Sequence, residues 1–174
     1  MVLRIPASAS RSGIPNTDVQ VPRTSAGIAL YRRVPDGIEL FLAHPGGPFW
    51  RNKDEGAWTF PKGEYTAGED PLIAARREFL EEIGLHLDGD FIDLGAVKQA
   101  GGKVVRIFAI EGDCDPAAIR SNTFRQIWPP KSGRYEEFPE VDRAGWFSPS
   151  EARTKLIVAQ REFVDRLCDG IGVR

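Results

Sequence analysis

The chain has 174 residues, 41 % of them apolar, and a formal net charge of −2, which suits one domain with one substantial core. That near-neutral balance gives no bulk attraction to nucleic acid or to a membrane, and no apolar run reaches the roughly 20 residues of a membrane span. The start lacks the apolar stretch of a secretory signal, and the isolated thiols Cys114 and Cys168 lack zinc-type spacing, so a reducing cytoplasm is expected.

Residues 1–22, rich in Ser, Pro and Arg without periodicity, are expected to be a flexible extension, with one domain over 23–174. Two apolar runs with β-branched and aromatic content, SAGIALYRR and IELFLAH, flank Val34-Pro35-Asp36-Gly37 and predict a hairpin. A loop, PGGPFWRNKDEG, then leads to a predicted short strand WTF at 58–60. Further on, FIDLGAVKQ and KVVRIFAIE predict a second hairpin around Ala100-Gly101-Gly102. An irregular, Pro-containing stretch follows, then a predicted strand RAGWF and a helical C-terminus, SPSEARTKLIVAQREFVDRLC, capped by Ser148 or Ser150. Strands interleaved with two principal helices predict an α/β/α sandwich on a mixed β-sheet.

The segment between the hairpins, GEYTAGEDPLIAARREFLEEIGL from Gly63 to Leu85, carries the chemistry. Asp70 is a good N-cap, Pro71 suits the first helical position, and Gly84 suits a left-handed C-terminal residue. Leu72, Ala75, Phe79 and Ile83 recur at helical spacing and predict a buried stripe. At about 100° per residue, Glu78, Glu81 and Glu82 share an arc of about 100° beside that stripe. Alone, the arc is electrostatically poor. Like charges one turn apart repel by a few tenths of a kcal/mol, and Glu81 and Glu82 sit where the helix dipole disfavours anions. Arg77 can pair with Glu81 one turn on, but a hard divalent cation held by carboxylate oxygens relieves all three acids.

Gly63, Glu69, Arg77, Glu78, Phe79, Glu81, Glu82, Gly84 and Leu85 match every position of the Nudix box, and the chain resembles the Nudix hydrolases. The resemblance implies an α/β/α sandwich and a metal-dependent attack of water on a diphosphate linkage, with Mg2+, or Mn2+, as cofactor. It implies that the Gly63 carbonyl, Glu78 and Glu82 are metal ligands and that Glu81 is a ligand or the base. It also makes Glu69 and Arg77 a supporting pair. A further carboxylate is expected from FPEVDRAGWF, where Glu140 is the candidate for metal binding or catalysis and Glu136, Glu137 and Asp142 compete.

Selectivity must come from outside the box. Lys62 stands where many relatives have Gly, and Trp58-Thr59-Phe60-Pro61-Lys62-Gly63 is similar to the entry of diadenosine polyphosphate hydrolases. A lysine there can meet an extra phosphate as a point charge, and Arg32, Arg33, Lys98 and Lys103 are candidates to extend the positive lining. Phe49, Trp50, Trp128, Tyr135 and Phe138 are loop aromatics able to stack on a base, whereas His44 and His86 are expected to be structural. Dinucleoside polyphosphates are the leading substrate expectation. Nucleoside triphosphates or nucleotide sugars, RNA 5′ ends, and a nucleotide sensor without turnover are the alternatives. The partner is expected to be a small-molecule nucleotide, for a monomer or a homodimer.

Overall fold

In the computed structural model, which describes residues 21–173, the first hairpin runs through β1 (Thr24–Val34) and β2 (Gly37–Pro45). Val34 pairs with Gly37 around the Pro35-Asp36 turn. The expected flexible extension at 1–22 lies, except for its last two residues, outside the described residues. The predicted strand at 58–60 is instead a pair of isolated bridges, Trp58 to Leu156 and Thr59 to Ala43. The ladder forms just beyond it, as β3 (Lys62–Glu64). Helix α1 (Pro71–Ile83) follows, then β4 (Ile92–Lys98) and β5 (Val104–Glu111), which form the second hairpin with a 3-10 turn at Ala100–Gly102.

Two further segments depart from the sequence expectation. The irregular stretch contains β6 (Thr123–Ile127) and β7 (Tyr135–Pro139), a separate two-stranded sheet. Its strands are short and mostly exposed, and its connection carries Pro129 and Pro130, so it lacks the apolar alternation that signals a strand. After β8 (Val141–Phe147), the helical C-terminus divides into α2 (Pro149–Lys155) and α3 (Arg161–Ile171). Leu156 between them is extended and fully buried, and its backbone bridges Trp58. Tertiary pairing there outweighs the local helical preference.

The main sheet has the order β4-β5-β1-β2-β8, and β3 pairs with β1. It is mixed, because β1 and β5 run parallel. Strand β1 shares one edge between two partners: Ser25, Ala26 and Gly27 pair with β3, and Tyr31 to Val34 pair with β2. Its alternating side chains serve two cores. Ala26, Ile28 and Leu30 pack with Phe41, Phe108 and the α1 residues Ala74, Ala75, Phe79 and Ile83. Ala29 and Tyr31 pack with Leu40, Leu42, Ile107 and, from α2 and α3, Ala152, Phe163, Val164 and Leu167. These are the layers of an α/β/α sandwich, in which β1 sets α1 beside β3.

Candidate active site

Helix α1 is fixed at both ends. The Asp70 carboxylate accepts from the Leu72 and Ile73 N–H groups at 2.9 and 3.1 Å. Gly84 takes a left-handed φ of 81° and its N–H donates to Leu80, a conformation glycine adopts without a Cβ clash. With Ala75, Phe79 and Ile83 buried against the sheet, the next arc of the helix faces β3.

There the carboxylates meet the backbone that the sequence paired with them. The Lys62 N–H donates to Glu82 Oε2 at 3.0 Å. Glu78 lies so close to Gly63 that a Cβ on residue 63 would stand 1.8 Å from its Oε2, so a larger residue there would push the Glu78 carboxylate aside. Arg77 joins the loop to the helix: its guanidinium donates to Glu69 at 3.1 and 3.3 Å and to Glu78 Oε1 at 2.5 Å. The Glu81 carboxylate stands 3.5 Å from the same guanidinium, an i,i+4 pair. One arginine is thus shared by three acids, of which Glu69 first and then Glu78 raise its pKa.

Glu82 and Glu78 are held away from water. Desolvation pushes Glu82 up to about 8 against the pull of the Lys62 charge. Desolvation also raises Glu78, helped by the charges of Glu81 and Glu140 and opposed by Arg77. Glu140 is raised by desolvation and then by the charge of Glu81. Desolvation lowers the pKa of Lys62, whose charge interacts with Glu82, Lys103, Glu78 and Glu64. Glu140 comes to this end of α1 through the backbone. Its N–H donates to the Asn122 carbonyl at 2.8 Å, and the Asn122 N–H donates to the Glu81 carbonyl at 2.9 Å. Asn122 had no sequence signal, since the link joins residues distant along the chain.

Gly63, Glu78, Glu81, Glu82, Glu140 and Lys62 are therefore brought together, with Glu69 and Arg77 behind them. Lys103 stands at the margin, 3.4 Å from Glu64. Arg32 and Arg33 are not brought there. They lie five and six residues along β1 from Gly27, the partner of Lys62, about 16–20 Å away at strand spacing. Each is neutralised locally: Arg32 by Glu39 and Asp113, over the Trp146 ring, and Arg33 by Glu111. Nor do the loop aromatics form one surface. Phe49 meets Trp128 edge-on at 5.9 Å, Phe138 is buried against Phe124, and Tyr135 lies under Arg125. His44 is fully buried, with its ring nitrogens 2.7 Å from Asp142 Oδ1 and from the Lys53 carbonyl.

The donor set suits a hard cation. It consists of partly desolvated carboxylate oxygens, with the Gly63 backbone pressed against one of them. Among the described residues, no three acidic, His or Cys side chains are already gathered round one point, so binding an ion would require the glutamates to rotate inward. Glu78, Glu82, Glu81 and Glu140 are the side chains within reach.

A mixed-sheet sandwich with an acid-faced helix packed on a glycine strand defines a class of Nudix-type domains. A family model described as the NUDIX domain matches residues 21–167, and the chain belongs to the Nudix family. It is 44 % identical over 59 residues to an RNA pyrophosphohydrolase of Helicobacter pylori (strain P12), covering 34 % of each chain. It is 32 % identical over 116 residues to an RNA pyrophosphohydrolase of Agrobacterium fabrum, covering 58 % of this chain and 62 % of that one. The match thus spans about a third of the first relative and about three-fifths of the second. Among solved structures, a C. elegans Ap4A hydrolase binary complex matches with a TM-score of 0.58 at 17 % identity, covering 85 % of this chain and 98 % of that one. The Nudix domain of Shewanella oneidensis NrtR, complexed with ADP ribose, matches with a TM-score of 0.61 at 14 % identity, covering 87 % and 90 %. At those identities the likeness shows the fold.

Proposed function

We propose that this protein is a metal-dependent pyrophosphohydrolase that cleaves a diphosphate linkage in a nucleoside diphosphate bearing a further group, by attack of water at phosphorus. The observation that carries the proposal is the pair of desolvated glutamates on α1, Glu78 and Glu82, packed against the Lys62-Gly63 backbone. Glu78 and Glu82, with the Gly63 carbonyl, would hold the cation. Mg2+, or Mn2+, bound there supplies charge neutralisation at the phosphate oxygens and a lowered pKa for an attacking water. Glu81 and Glu140 stand at the rim, where either can take the proton from that water. Arg77 and Glu69 keep the box loop against the helix so that the carboxylates are placed in advance of substrate.

Within this reaction class, dinucleoside polyphosphates are the substrates we favour. Lys62 supports that choice, being placed beside Glu82 and Glu78 in the acid cluster. A second reading, hydrolysis at triphosphorylated RNA 5′ ends, is favoured by the names of the two relatives, whose similarity to this chain includes at most part of their length. The protein would act on its nucleotide as a monomer or a homodimer, in a reducing compartment such as the cytoplasm, where its two free thiols belong.

The test is a phosphate-release screen over diadenosine polyphosphates, nucleoside triphosphates, nucleotide sugars and triphosphorylated RNA, with Mg2+ and with chelator. Metal-dependent turnover strongest on diadenosine polyphosphates is the expected result. Preference for RNA ends selects the second reading, and no metal-dependent turnover on any of them rejects the enzyme.

A further inference from the structure

Strand β2 ends on His44 and Pro45, and there its ladder with β8 breaks. His44 pairs with Arg143 and Pro45 with Val141, so Asp142 is an extra residue, a bulge in β8. Proline has no N–H to give to a ladder, and an extra residue bends its strand and re-aims the side chains beside it. Glu140 lies two residues before that bulge. One side of its backbone is held by the Asn122 carbonyl, which accepts the Glu140 N–H at 2.8 Å, and by the Ser121 hydroxyl, which accepts the Val141 N–H at 2.9 Å. On the other side the Gly46 N–H donates to the Glu140 carbonyl at 2.9 Å.

A side chain takes the place of the broken ladder. The His44 ring is fully buried, with Nδ1 2.7 Å from Asp142 Oδ1 and Nε2 2.7 Å from the Lys53 carbonyl oxygen. A carbonyl oxygen can only accept, so Nε2 carries a proton. The proton between Nδ1 and Oδ1 belongs to the ring, because imidazole is a stronger base than a carboxylate. A ring with one proton would turn a bare lone pair toward one of these oxygens, which is costly where no water can intervene. His44 therefore donates twice. Its neighbours agree with that state. Arg143 reaches the same Lys53 carbonyl at 3.4 Å and lies over Trp58, whose ring meets His44 edge-on at 5.2 Å. Asp54 is engaged by the Trp58 indole N–H and by Lys155, and Asp142 is the acid paired with the ring.

We propose that His44, with a proton on each ring nitrogen, is a positioning residue for Glu140: it ties the 46–56 loop to the β8 bulge and so holds Glu140 beside Glu81. This rests on the hydrolase reading and deepens it, since Glu140 is one of the two acids that can take the proton from the attacking water.

The test uses Asp142→Ala in the full chain, because Asp142 lies at the surface and its truncation leaves the core filled. In nitrogen-15 NMR in chelator at neutral pH, the parent should show two ring N–H groups on His44 and the variant one. The Gly46 and Glu140 amides should exchange with solvent about tenfold faster in the variant, with those of β1 unchanged. With Mg2+, kcat should fall about tenfold at constant KM. In a Glu140→Gln background the same substitution should cost less than about twofold, because a residue that acts through Glu140 then has nothing to position. Asp142→Asn, which keeps an acceptor for Nδ1–H, should stay within about threefold of the parent. A single ring N–H in the parent overturns the proposal. So do equal kcat losses in the two backgrounds, the result that a purely structural clamp would give. A parent that turns over no nucleotide, yet shows both ring N–H groups and the faster exchange on Asp142→Ala, rejects the hydrolase reading and leaves the His44 clamp standing.

Discussion

Glu78 and Glu82 on the α1 face have an environment that ordinary surface glutamates lack. Glu82 accepts from the Lys62 N–H and is pushed up to about 8 by desolvation. Since its folded pKa lies above the ordinary carboxylate value, the folded state binds more protons than the unfolded state between about pH 4.5 and 8. Stability in chelator should therefore fall as pH rises through that window, by on the order of a few kcal/mol. Glu82→Gln should flatten the slope, and thermal melts at pH 5 and pH 8 measure it; a variant as pH-dependent as the parent refutes the assignment. Glu78→Gln and Glu82→Gln should each lower Mg2+-dependent turnover at least about a hundredfold, the scale expected when charge stabilisation at phosphorus is removed. Unaltered circular dichroism would show that the loss is chemical. Lys62→Gly should reduce kcat/KM for diadenosine tetraphosphate more than for ATP, because a point charge matters most to the longer phosphate chain. Equal losses on the two substrates would count against a contact with the extra phosphate.

Local signals specify α1 almost completely. Asp70, Pro71 and Gly84 bound the helix where its sequence says it should start and stop, because caps satisfy backbone groups within one turn of themselves. Asp70→Ala should cost about 1 kcal/mol, read as a lower urea midpoint with an unchanged slope; a shift indistinguishable from zero would mean that packing alone holds this end. The C-terminal segment behaves differently. Its sequence is helical throughout by periodicity, yet Leu156 leaves the helix to bridge Trp58, about a hundred residues earlier. The β6–β7 hairpin is equally illegible. It is held by pairing and by the Phe124–Phe138 contact, and its exposed strands carry no periodic imprint.

Across the whole molecule, the two faces of the sheet do different work. The face covered by α1 places the acids; the opposite face, sealed by α2 and α3, supplies stability. Phe163 is fully buried there and meets Phe60 edge-on at 6.4 Å. Truncating it should cost about 3–5 kcal/mol, a large share of the 5–15 kcal/mol typical of a domain. Chemical denaturation of Phe163→Ala checks this, and a loss under 1 kcal/mol would show that this core collapses to fill the gap. Phe60 stands two residues before Lys62, so the stabilising layer also anchors the strand that carries Gly63.

The sequence by itself determined the family, the mixed-sheet sandwich, the ends of α1 and the acid face of that helix. The helix ends and its acid face are written in spacings of about two turns or in single-residue backbone requirements, the family in the 63–85 motif, and the sandwich in the order of strand and helix patterns along the chain. Only the tertiary structure decided which cations share the site. Arg32 and Lys62 look alike as basic residues at the ends of apolar runs, but β1 carries Arg32 away to Glu39 and Asp113 while β3 sets Lys62 against Glu82. It likewise brought Glu140 to Glu81 through Asn122 and set His44 between Asp142 and the Lys53 carbonyl. The physical reason is that a cap or a helical stripe acts over a few residues of chain. Charge pairing and burial act instead between residues that approach only when the sheet is assembled.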